Sequence, residues 1–188
     1  YWPIKVKYGK EKRIRKCISC LGGCWQESLM AKKEIACSIN AACGNPAFAD
    51  MQRTSKPLKV AVVGGGPAGM EAARVATVRG HKIVLFEKTR ELGGAILGCC
   101  MVPGKEKMKW YADWLRDEMV ALGVDTRLDH VPTIEELQEF DLVLNATGAS
   151  AYLPEDFGLS EKVATFEEVL ASPKVKCECH PGDRTVRK

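Results

Sequence analysis

Leu58-Lys59-Val60-Ala61-Val62-Val63-Gly64-Gly65-Gly66-Pro67-Ala68-Gly69 decides how this chain folds. A short apolar run ends in glycines, which predicts a buried strand followed by a tight turn. Pro67 then suits the first turn of a helix, because the N–H it lacks would have no partner there. Met70, Ala73, Val75, Ala76 and Val78 carry that helix to Arg79, and Gly80 ends it. Lys82-Ile83-Val84-Leu85-Phe86 reads as a second strand with Glu87 at its end. The three pieces make a β-α-β unit of about 30 residues with a right-handed crossover.

The spacing of the glycines carries chemistry. Gly64 permits the turn, Gly66 lets backbone approach a pyrophosphate, and Gly69 permits close packing of the helix on the strand. The helix start at Pro67-Ala68-Gly69 offers N–H donors, from Ala68 onward, and a partial positive charge to phosphates. Glu87 lies 21 residues after Gly66, placed to accept hydrogen bonds from a ribose hydroxyl pair. A carboxylate there would repel a 2′-phosphate, so this site should not hold NADP. The bland alternative is a purely structural glycine turn. Lys88, then Leu92-Gly93-Gly94, and later Asn145-Ala146-Thr147-Gly148-Ala149 favour FAD over NAD, because glycines there let backbone lie against a cofactor.

The remaining pattern continues an α/β fold. Gly104 to Leu122 reads as an amphipathic helix with Met108, Tyr111, Leu115, Met119 and Leu122 on one side, stopped by Gly123. Val124 to Leu128 reads as a strand, and Thr133 opens a short capped helix with Glu136 three residues on. Asp141 to Ala146 is a further strand and Phe166 to Leu170 a further short helix. Trp25, Trp110 and Trp114 are expected in the core. The three histidines suggest no catalytic set, so no catalytic residue is assigned.

Upstream, Cys17, Cys20, Cys24 and Cys37 are spaced C-x2-C-x3-C-x12-C in a stretch with little periodicity. Three cysteines within eight residues can wrap three corners of a 4Fe–4S cluster, with a fourth arriving from further along. Gly22 and Gly23 allow tight turns between ligands. Zinc is the rival, but it usually takes two paired knuckles, and Cys37 stands alone. Cys43, Cys99 and Cys100 read as small hydrophobes or spare thiols. Cys177-Glu178-Cys179-His180 has no matching second pair. The expected organisation is a loop-rich iron–sulfur segment over residues 1–56, then the first part of a Rossmann-like FAD-binding (two-dinucleotide-binding) domain over residues 57–188.

Composition sets the outer bounds. At 188 residues, 46% hydrophobic and 28% charged, the chain is ordinary for a globular protein. A net charge of +4 is too small to argue for nucleic acid, although Lys5, Lys7, Lys10, Lys12, Arg13, Arg15 and Lys16 crowd the start. No apolar run reaches the roughly 18–20 residues of a membrane helix. Nine cysteines with no secretion signal fit metal binding in a reducing cytosol, so the expected location is cytoplasmic. The absence of a starting Met suggests a processed, trimmed or fragmentary chain.

These motifs in this order resemble the C-terminal half of the iron–sulfur flavoproteins of the old yellow enzyme class, which include 2,4-dienoyl-CoA reductase, 2-enoate reductase and trimethylamine dehydrogenase. The resemblance is carried by Ile14-Arg15-Lys16-Cys17-Ile18-Ser19-Cys20, Cys24, Cys37 and Val63 to Ala73. It continues through Leu92-Gly93-Gly94, Val102-Pro103-Gly104-Lys105 and Ala146-Thr147-Gly148.

The resemblance implies cluster ligation by Cys17, Cys20, Cys24 and Cys37. It places Gly64, Gly66, Pro67, Ala68, Gly69, Glu87, Lys88, Gly93, Gly94, Val131, Ala146, Thr147 and Gly148 along the nucleotide or flavin. It implies that NAD(P)H reduces FAD, that the cluster relays electrons, and that FMN reduces an enone or enoyl-CoA. That FMN sits in a (β/α)8 barrel, upstream in the same chain or in another subunit. In the amine dehydrogenase branch the nucleotide fold holds ADP instead. The gap before Cys37 resembles that branch, whereas the Cys20 to Cys24 spacing resembles the reductases, so both stay open, as does a homo-oligomer. Asp183 to Lys188 reads as the approach to a new strand, where an NAD(P)H domain would interrupt the FAD fold.

Overall fold

In the computed structural model, residues 2–150 and 165–171 are described. Four strands, β1 (Lys59–Val63), β2 (Lys82–Phe86), β3 (Asp125–Arg127) and β4 (Leu142–Asn145), form one parallel sheet in the order β3-β2-β1-β4. The helices are α1 (Trp2–Lys7), α2 (Pro46–Ala49), α3 (Pro67–Val78), α4 (Ala95–Cys100), α5 (Lys107–Ala121), α6 (Ile134–Leu137) and α7 (Phe166–Ala171). The chain divides into two compact units, Tyr1–Ala149 and Ser150–Lys188.

The β1-α3-β2 unit forms where the sequence predicts it. Val60, Ala61 and Val62 are almost wholly buried, as are Leu85 and Phe86, because a parallel sheet is covered on both faces. In register, Val63 stands beside Phe86 on one side and Asn145 on the other. The carboxyl ends of three strands therefore finish together, where open α/β sheets bind their ligands.

One face of the sheet is packed by α3 and α5 through Met70, Ala73, Tyr111, Trp114, Leu115 and Met119. On the other face Leu137 and Phe140 pack on Ala61, Val84 and Phe86. The capping box at Thr133 forms as expected: Thr133 Oγ1 accepts from Glu136 N–H at 3.3 Å, and Glu136 Oε2 accepts from Thr133 N–H at 2.8 Å.

Several expectations need correction. The long helix begins at Lys107 rather than Gly104, and a separate helix, α4, precedes it. Its buried side includes Trp114 and the carboxylate Glu118. Trp25 and Trp110 are 51% and 43% exposed, so of the three tryptophans expected in the core only Trp114 is there. Trp110 stands on the outer side of α5, with the Lys16 and Lys107 ammonium groups 5.5 and 5.9 Å from its ring centre. The cysteine-bearing stretch holds short helical pieces, including a π-helix at Gly22–Met30.

In the second unit, Thr165 caps α7 by exchanging hydrogen bonds with Glu168. Cys177, Cys179, His180 and Asp183 to Lys188 lie outside the described residues.

Candidate cofactor and metal sites

The glycine turn is built as its spacing demands. Gly64 has φ +111°, and a side chain there would run into the Ala146 carbonyl. A Cβ on Gly69 would strike the Gly64 carbonyl oxygen, so the third glycine does bring helix and strand together. Gly66 has nothing within 4 Å of its missing Cβ, so that flank of the turn is open. Pro67, Ala68 and Gly69 make the first turn of α3, where helical N–H groups have no partner within the helix.

Glu87 is buried, at 6% exposed, and holds the turn. Its Oε2 accepts from Gly65 N–H at 2.6 Å, and its Oε1 accepts from the N–H and hydroxyl of Thr89 at 2.9 and 2.8 Å. Burial alone would push this carboxyl up. The hydrogen bonds from Thr89 and Gly65, helped by the Lys88 charge, outweigh burial and hold it below the usual carboxylate range. Gly65 also accepts from Gly93 N–H at 2.9 Å, and the place of a Gly94 Cβ is 3.1 Å from the Gly66 α-carbon. Gly93 and Gly94, with φ +137° and +53°, therefore brace the turn directly.

Beyond the strand ends lies a cavity of about 110 Å³ lined by Val63, Gly64, Phe86, Glu87, Lys88, His130, Val131, Pro132 and Thr147. Five of the residues expected along the nucleotide line it: Gly64, Glu87, Lys88, Val131 and Thr147. Ala146 backs the turn, donating its N–H to Val63 O at 2.8 Å. Thr147 is set by the Asn145 side chain, which accepts from its N–H and hydroxyl at 3.2 and 2.9 Å. Gly148 follows in the left-handed region at φ +84°.

Phe86 and Pro132 were not among the residues expected at the site, and of the pair His130-Val131 only Val131 was. His130 does pack, 5.5 Å from the Phe86 ring, but it also lines the cavity while Glu136 holds its Nε2 at 3.0 Å. Its adjacency to Val131 was the available signal.

The segments bearing Cys20, Cys24 and Cys37 meet through their neighbours. A Cβ on Gly23 would lie 2.6 Å from Ala36 O and 3.0 Å from Cys37 N, so the Gly23-Cys24 backbone rests on the strand of chain bearing Cys37. Cys20 Sγ is 3.3 Å from Ser38 Oγ. That hydroxyl and the Gly22 N–H hold the Cys20 thiol below its ordinary range. Ser19 and Leu21, on either side of Cys20, are both left-handed at φ 57°. Such non-glycine residues are strained, and they cluster where a ligand is held.

Cys17, Cys20 and Cys24 are exposed and Cys37 is half-buried. Among the described residues, no three His, Cys, Asp or Glu side chains close round a single metal ion. A cubane does not ask that of them, because each thiolate binds its own iron. The donor set, the left-handed residues and the close Gly23–Ala36 approach fit such a group.

Residues 59–131 match the sequence profile described as FAD dependent oxidoreductase. That stretch is similar to FAD-dependent oxidoreductase domains. Across 168 residues the chain is 39% identical to NADH oxidase of Thermoanaerobacter brockii, covering 88% of this chain and 26% of that protein. It is 38% identical over 183 residues to cinnamate reductase of Clostridium sporogenes, covering 92% and 26%. Among solved structures, a 2-naphthoyl-CoA reductase complex with 2-naphthoyl-CoA superposes with a TM-score of 0.84 at 29% identity, over 91% of this chain and 26% of that one.

The chain thus spans about a quarter of the length of these relatives, and the resemblance to the 2-enoate reductase class is borne out. The parallel sheet with helices packed on it bears out the α/β class. No helix among the described residues is long and apolar enough to cross a membrane.

Proposed function

We propose that this chain is the electron-transfer portion of an NAD(P)H-dependent flavin oxidoreductase, carrying a 4Fe–4S cluster beside FAD. When bound, these groups supply single-electron relay and two-electron exchange with a nicotinamide. In this reading an FMN in a (β/α)8 barrel, in the same protein or a partner, reduces an enone or enoyl-CoA.

The observation that carries the reading is the Gly23–Ala36 approach with the Cys20–Ser38 contact. It gathers both cysteine groups into the same compact unit as the nucleotide turn. Cys17, Cys20, Cys24 and Cys37 would hold the cluster. The first turn of α3 would face the FAD phosphates. Glu87, already holding three donors, has room for about one more among the roughly four lone-pair sites of a carboxylate. One ribose hydroxyl is therefore its limit, and its charge keeps a 2′-phosphate away.

The test is release of bound groups from the full-length protein. FAD, FMN and about four irons with matching sulfide support the reading. Stoichiometric zinc without sulfide overturns the cluster. ADP in place of FAD moves the chain to the amine dehydrogenase branch.

A further inference from the structure

Arg15 lies two residues before Cys17, and its side chain is only 13% exposed. Its guanidinium reaches three separate parts of the molecule. It donates to the carbonyl of Ile39, a buried residue two positions after Cys37. It donates to Glu71 Oε1 at 3.3 Å on α3, the helix that opens at the phosphate turn. It stacks on the Trp114 ring of α5, with its central carbon 4.0 Å from the ring centre. Arg74 holds both oxygens of Glu71 with two hydrogen bonds of 2.8 Å. Glu118, the other carboxylate nearby, is taken by Arg13 at 2.7 and 2.9 Å.

We propose that Arg15 is a positioning residue that closes the two cysteine loops on each other, fixes them to the nucleotide-binding helix, and raises the reduction potential of the centre they hold. The proposal rests on the cluster reading above. Its physical basis is the shape and charge of guanidinium. Only a planar fork can donate to a carbonyl and a carboxylate while lying flat on an indole. By bonding to Ile39 O from a position beside Cys17, it sets the separation of the Cys17–Cys24 stretch from the Cys37 stretch. A cluster with four thiolates is anionic, and a largely buried cation tied to both ligand-bearing segments favours the reduced form.

The test uses the full-length protein with Arg15→Lys and Arg15→Gln. Three quantities are read: iron release to a chelator, FAD content, and the midpoint potential of the cluster by redox titration. Both variants should release iron about tenfold faster than the parent, as loss of a charge-assisted hydrogen bond implies. FAD content should hold. The potential should fall in Arg15→Gln and stay near the parent value in Arg15→Lys, a split that lost packing alone would not produce.

Release at the parent rate in Arg15→Lys overturns the proposal even if Arg15→Gln cannot be folded. So does fast release with proportional loss of FAD, which marks general unfolding. A potential that fails to follow the charge removes the electrostatic half. A parent protein without iron and sulfide would instead sink the cluster reading, a result distinct from failure of Arg15.

Discussion

The β1-α3-β2 unit and the cysteine-bearing stretch before it are held in opposite ways. In the first, strands and helix bury one another, and the glycine turn is locked by Glu87 and Gly93 from within. In the second, order comes from outside the stretch. Arg13 grips Glu118, Trp114 Nε1 donates to Arg13 O at 3.0 Å, and Arg15 spans to α3 and α5. Few apolar residues of the second region are buried, while Trp2, Leu21, Trp25, Leu29 and Met30 are more than half exposed. The glycine turn is therefore held from within, whereas the cysteine region leans on helices far along the chain.

The sharpest way to break this contrast is Cys20→Ser in the full-length protein. We expect the loss of bound iron and sulfide, and faster proteolysis between residues 14 and 45, with FAD retained. Loss of FAD in parallel would show that the two regions are not separable. Gly64→Ala should do the reverse. A side chain forced onto the Ala146 carbonyl at φ +111° costs roughly 3 kcal/mol or more, and FAD binding should fail while iron stays.

Next in size is Glu87→Gln, which replaces an acceptor-only group facing three donors; a loss of about 2–3 kcal/mol is expected at neutral pH. Because the folded carboxyl titrates below its unfolded value, its stabilisation is present above about pH 4.3 and disappears as pH falls through the folded value. Urea unfolding at pH 7 and pH 3 should show the gap between variant and parent shrinking in acid.

Glu118→Ala should cost about 1–2 kcal/mol, less than a fully buried pair, because Arg13 is 39% exposed and can turn to water. Its signature is loosening of residues 2–16 in hydrogen exchange with the sheet unchanged. Thr133→Ala, removing one cap, is the smallest, at about 1 kcal/mol by chemical unfolding.

The same division governs what could be read without coordinates. The strands and α3 were legible because apolar runs bounded by glycine report local structure, and β2 runs Lys82–Phe86 as expected. The fingerprint and Glu87 were legible because their spacing is itself the geometry. The Arg13–Glu118 pair was not, since its partners are 105 positions apart and nothing local marks them. Helix α4 was hidden by Gly98 and by its brevity. Trp110 was misassigned because periodicity shows which side chains share a face but not whether anything covers that face. Glycines 93 and 94 were read as room for a cofactor, but a Cβ on Gly93 would strike Leu97 and one on Gly94 would crowd Gly66.

Gly65 spends both of its backbone groups inside the protein, one on Glu87 and one on Gly93. The glycine turn is thus cast in advance, and little conformational freedom would remain to be surrendered on association with a nucleotide. Such a cradle should admit its nucleotide without rearranging and release it slowly, the behaviour of a permanently seated prosthetic group rather than of a coenzyme that comes and goes with each turnover.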